Sequence, residues 1–143
     1  AAVGCAQLEK FPKFVERRRS NFARLQEGLK DMEDKLILPV ACKNSNPSWF
    51  GFMMTCRAGT DRNKVVQKIE ESGVQTRMLF AGNLIKHPCF DEMRAQGRGY
   101  RVVGDLTNAD RIMNDTFWIG VYPGMTDEMI DDVIKVIHRA VCK

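Results

Sequence analysis

The chain has 143 residues, 44% of them hydrophobic and 28% charged, the size and composition of one globular domain, which excludes disordered and fibrous classes. Its net charge is only +4, too small to call for nucleic acid as a partner. No apolar run approaches the ~20 residues of a membrane-spanning helix and no signal-peptide pattern opens the chain, so a soluble, cytoplasmic protein with no membrane partner is predicted.

The chain opens in a helix-forming segment, AAVGCAQLEK. Pro12 suits the first turn of a second helical stretch, and Val15, Phe22, Leu25, Leu29 and Met32 give that stretch an apolar stripe to about Asp34. Seven basic residues between Lys10 and Lys30, against Glu16 and Glu27, make its outer face basic. The apolar run LILPVAC reads as a short strand. In WFGFMMTCRAG the alternation of Phe50, Phe52, Met54 and Cys56 marks one face of another strand, with Trp49 and Met53 on the opposite face.

The stretch DRNKVVQKIEESG is a helix capped at Thr60 or Asp61, with Val65, Val66 and Ile69 inward and Gly73 as its stop. A strand from about Val74 follows, then a break at Gly82, irregular backbone around Pro88 and a Gly-rich loop from Gln96 to Gly104. A short helix over Thr107 to Asn114 leads into the strand TFWIGV, ended by Pro123-Gly124. The last helix carries Met129, Val133, Ile137 and Val141 at four-residue steps, with Thr126 as cap and Asp127 and Glu128 at its positive end. This order predicts an α/β fold, a sheet of three or four strands with packed helices.

No phosphate loop, GxGxxG, GxSxG or HExxH motif is present. The five cysteines are scattered, with no C-x-x-C pair, so reduced thiols and no metal site are expected. His138 reads as a solvated helix-surface residue; Trp49 and Trp118 could stack on a sugar or base, but each sits in an apolar strand pattern and reads as core. Asp105, Asp110 and Asp115, five apart, share no helix face and form no acid/base pair. The segment TRMLFAGNLIKHP places Arg77, Asn83, Lys86 and His87 close in sequence, a donor set suited to an anionic or sugar ligand, with Gly82 allowing close backbone approach. The competing reading pairs Arg77 with a local carboxylate, closes a turn with Asn83 and leaves His87 merely exposed.

AAVGCAQLEKFPKFVERRRSNFARL resembles the helix leading into the C-terminal region of DegT/DnrJ/StrS sugar aminotransferases and dehydratases. GVQTRMLFAGNLIKHPCF and FWIGVYPGMTDEMIDDVIKVI narrow the resemblance to the CDP-4-dehydro-6-deoxyglucose 3-dehydrase branch of lipopolysaccharide O-antigen biosynthesis. It implies that residues 1–143 are the small C-terminal domain of a fold-type I, aspartate aminotransferase-like enzyme, inactive alone and exposing apolar surface on its first helix. The large domain would hold pyridoxamine or pyridoxal phosphate and a [2Fe-2S] cluster; no catalytic, cofactor or metal residue is expected here.

For the parent, the resemblance implies loss of the C3 hydroxyl from a nucleotide-linked 4-keto-6-deoxyhexose, with the cofactor ring as electron sink, in a homodimer served by an electron-donating reductase. Arg77, Asn83 and His87 are expected to line the substrate side of the cleft. A lysine-bearing sugar aminotransferase is the alternative within the family, and a non-enzymatic binding module the alternative outside it.

Overall fold

The computed structural model describes residues 1–142. Helix α1 (Ala2–Gly28) runs unbroken through Pro12, where the sequence predicts a fresh start. Proline removes one helical N–H, but among the described residues nothing packs on this half of α1, so the carbonyl freed at Leu8 opens to water. One stripe serves the whole helix: Phe22, Leu25 and Leu29 enter the core, whereas Val3, Leu8 and Phe11 on the same side are 77, 68 and 56% exposed. Helix α1 ends earlier than the predicted Asp34, giving way to a 3-10 turn at Lys30–Met32.

Strand β1 (Leu36–Ile37) is two residues long, and β2 (Gly51–Cys56) follows an irregular loop. Helix α2 (Arg62–Glu71) starts at Asp61, whose carboxylate accepts the N–H groups of Asn63 at 2.9 Å and Lys64 at 3.3 Å. Strand β3 (Thr76–Met78) is followed by two 3-10 turns, Leu84–Lys86 and Pro88–Phe90, and by a helix the sequence does not announce, α3 (Asp91–Gln96). Helix α4 (Thr107–Asp115), β4 (Thr116–Gly120) and α5 (Asp127–Cys142) complete the chain. Thr126 Oγ1 accepts the Met129 N–H at 3.2 Å, the predicted cap.

The four strands form one antiparallel sheet in the order β1-β2-β4-β3, which is the α/β layer arrangement predicted. Its inner face carries Phe52, Met54, Phe117 and Ile119 against Leu25, Ile69, Ile130 and Ile137 of the helices. Helix α1 meets α5 closely at Gly28, where a Cβ would stand 2.4 Å from Ile134 Cδ1. The basic face of α1 is bound to its neighbours: Arg17 and Arg24 pair with Asp127 at 2.6 and 2.9 Å, and Arg24 also with Asp131 at 2.7 Å. Arg19 donates to the carbonyls of Asn46 and Pro47.

Three expected placements are corrected. Phe50 precedes the β2 ladder and is exposed, because alternation continues by one residue past the point where pairing begins. His138 is half-buried, its Nε2 3.0 Å from the Gly28 carbonyl and 3.3 Å from Asp31, because it lies on the side of α5 that meets the end of α1. Trp118 is half-buried on the outer face of the sheet rather than in the core: Phe117 and Ile119 point inward, so the pleat turns Trp118 outward.

Candidate functional site

The outer face of the sheet is covered at one end by α4, beneath which the Thr55 and Thr116 hydroxyls share a hydrogen bond at 2.8 Å. At the other end it is open. There the register places Met53, Trp118 and Arg77 side by side across β2, β4 and β3, and alternation puts all three on this face. The absence of a side chain at Gly51 brings the indole close: a Cβ there would be 2.6 Å from Trp118 Cε3. Trp118 Nε1 donates to the Met78 carbonyl at 3.2 Å, and Phe50 meets the indole edge-on with centroids 5.4 Å apart. The ring is thus fixed on three sides.

Arg77, Phe50, Phe80, Met78 and Trp118 enclose a groove of about 490 Å³. It continues into a smaller apolar recess of about 230 Å³ between Pro39, Val40, Met53 and Leu79. Arg77 is exposed and, among the described residues, its guanidinium has no carboxylate or hydrogen-bond partner. A free bidentate donor bordered by three aromatic rings suits a ligand with an anionic group beside a largely carbon-bound ring.

Asn83 and His87 stand elsewhere. Asn83 is 2% exposed, and its amide donates to Asp110 Oδ1 at 2.7 Å, while Lys86 reaches Asp110 Oδ2 at 2.7 Å. The hydrogen bonds from Lys86, first, and Asn83 hold the Asp110 carboxyl below the usual carboxylate range. His87 is half-buried in a neighbouring groove of about 330 Å³ with Lys86, Gly82 and Met113, its Nε2 2.5 Å from the Ala81 carbonyl. Arg77, on β3, and Asn83 and His87, in the turns that follow it, therefore do not converge on one groove. Phe80, which borders both grooves, and Phe50 do not stand out as candidate site residues in the sequence, and Trp118, able to stack on a sugar or base, is read there as core instead. The inward pattern of Phe117 and Ile119 was the available signal for Trp118.

The chain's own donors do not fit the cofactors that the sequence resemblance implies for the parent. Among the described residues no lysine or histidine borders the aromatic groove. Cys5, Cys42, Cys89 and Cys142 are exposed on separate segments, and burial pushes the Cys56 thiol up to about 11. Among the described residues no three His, Cys, Asp or Glu side chains are placed to hold a metal ion, and no helix is long and apolar enough to cross a membrane.

Comparison with known proteins shows the family. The chain is 50% identical over 137 residues to the lipopolysaccharide biosynthesis protein RfbH of Salmonella typhimurium, which covers 94% of this chain and 30% of the relative. It is 45% identical to dTDP-4-dehydro-2,6-dideoxy-D-glucose 3-dehydratase of Saccharopolyspora spinosa, covering 100% of this chain and 30% of that one. A solved structure of E. coli GDP-4-keto-6-deoxy-D-mannose-3-dehydratase with bound hydrated PLP superposes with a TM-score of 0.79 at 25% identity, over 95% of this chain and 34% of that one. The chain thus spans about a third of the length of the relatives it matches. The family model for DegT/DnrJ/EryC1/StrS aminotransferases matches residues 1–138, and the chain belongs to that family.

Proposed function

We propose that this chain is the C-terminal domain of a nucleotide-sugar 3-dehydratase, and that its open sheet face closes over the substrate. The unpaired Arg77 at the mouth of an aromatic groove carries this reading, since a nucleoside diphosphate sugar joins an anion to a ring by one linkage. The 45% identity to a 3-dehydratase supports the reaction class. The unpartnered apolar side of α1 supports a larger protein whose remaining domain covers Val3, Leu8 and Phe11.

The full reading is a cytoplasmic homodimer acting on a CDP-4-keto-6-deoxyhexose in lipopolysaccharide biosynthesis. Its other domain holds pyridoxamine phosphate and a [2Fe-2S] cluster, and a separate reductase supplies electrons. The cofactor, when bound, serves as an electron sink for loss of the C3 hydroxyl. This chain's residues bind and orient the substrate, Arg77 on the diphosphate and the Asn83 and His87 loop as the wall beside it, and no turnover is expected of residues 1–143 alone.

The test is Arg77→Ala in the full-length protein, assayed with the CDP-linked and dTDP-linked sugars. Removing a charge-assisted bidentate contact should raise KM about 10- to 100-fold. An unchanged KM and kcat removes Arg77 from the site. Borohydride reduction with intact-mass measurement separates the family alternative: a covalent pyridoxyl adduct reports the lysine of an aminotransferase.

A further inference from the structure

Phe80 has a backbone φ of +45°, in the left-handed region. It occupies the first central position of the turn Leu79–Gly82, closed by the Gly82 N–H donating to the Leu79 carbonyl at 3.3 Å. A positive φ at that position belongs to glycine, asparagine or aspartate, and a bulky side chain there is strained. Core packing does not repay the strain, because Phe80 is 80% exposed.

The neighbours enforce the conformation. The Phe80 N–H donates to the Met78 carbonyl at 2.9 Å, His87 holds the Ala81 carbonyl, and Asn83 is tied to Asp110. Gly82, also left-handed at φ +57°, is wedged against Met113 of α4. Four independent contacts thus impose a strained turn whose visible product is one aromatic ring held in the open. That ring borders the groove containing Arg77 on one side and the His87 groove on the other.

We propose that Phe80 is a specificity-determining, ligand-contacting residue, whose ring lies against the carbon-bound face of the sugar next to the diphosphate at Arg77. This rests on the nucleotide-sugar reading above. The sugar is the ring joined directly to the phosphate that Arg77 takes, and a 6-deoxyhexose offers a methyl group and axial C–H bonds to an aromatic face. The strained turn costs stability, and its return is a binding surface that a glycine there would not supply.

The experiment compares Phe80→Gly and Phe80→Ala in the full-length holoenzyme by Tm, by steady-state kinetics and by calorimetric titration with the CDP-sugar and with CDP. Both variants should raise KM about tenfold or more with kcat little changed, the mark of a contact made equally in ground and transition states. Affinity for CDP alone should be nearly unaffected. Only Phe80→Gly relieves the backbone, so its Tm should exceed that of Phe80→Ala and not fall below wild type.

An unchanged KM, an equal loss of CDP affinity, or a Phe80→Gly Tm below wild type each overturns the proposal. The last outcome would mean that the ring packs on protein. A wild-type protein that binds neither the CDP-sugar nor CDP would instead overturn the underlying reading, and the proposal with it.

Discussion

Gly82→Ala tests whether the turn bearing Phe80 is locked against α4. A Cβ at this position would lie 2.5 Å from Met113 Cβ, 2.7 Å from its Cγ and 2.9 Å from its Cα. The last of these is backbone, which cannot rotate away, so either the turn or α4 must shift. Forcing alanine into a left-handed conformation costs about 1–2 kcal/mol, and overpacking adds typically 1–3 kcal/mol, for a total of about 2–5 kcal/mol.

Gly97→Ala is the internal control. Gly97 has φ +62° but nothing within 4 Å of its Cβ position, so it pays only the backbone component. Denaturant titration of the two variants should separate them by the overpacking component, with unchanged m-values. Equal losses would refute the steric reasoning and show that the Gly82 turn moves freely relative to α4.

Two further predictions concern ionisation. The Asp127 carboxyl is held below the usual range chiefly by its hydrogen bond from Arg17, and Asp110 by that from Lys86. A depressed carboxylate stabilises the fold above its unfolded pKa of about 3.9 and ceases to do so as pH falls through the folded value. Tm should therefore be level above about pH 5 and decline below about pH 4; Asp127→Asn should flatten that acid limb, and an unaltered limb would remove the α1–α5 ion pairs from the account. In thiol labelling at pH 8 followed by mass spectrometry, the exposed Cys5, Cys42, Cys89 and Cys142 should react first and Cys56, buried and shifted to about 11, only on unfolding. Early labelling of Cys56 would contradict its burial.

What the sequence revealed, and what it hid, divides along the range of the interaction. The stripes of α2 and α5 and the caps at Asp61 and Thr126 were legible because they are set by residues within a few positions. Pro12 misled because a proline's cost depends on whether the freed carbonyl is buried, which only the tertiary structure decides. The Arg77–Asn83–His87 segment suggested one converging donor set, but Asn83 finds its acceptor 27 positions away on α4, a pairing no local pattern displays. The sign of φ at Phe80 was equally invisible, being imposed by the contacts around it.

Helix α1 is a rod of about 40 Å at 1.5 Å per residue, and its two halves have different duties. Its C-terminal half is cemented by Leu25 and Leu29 and braced by the Arg17 and Arg24 pairs, and Asn21, 1% exposed, donates to the Tyr122 carbonyl at 2.9 Å. Tyr122 immediately follows the residue whose N–H is bonded to the Phe50 carbonyl at 2.7 Å. The overhanging half is thus a cantilever: Val3, Leu8 and Phe11 stand out from a base that is anchored on α5 and, through Asn21 and Tyr122, one residue from the end of the sheet that bears Phe50.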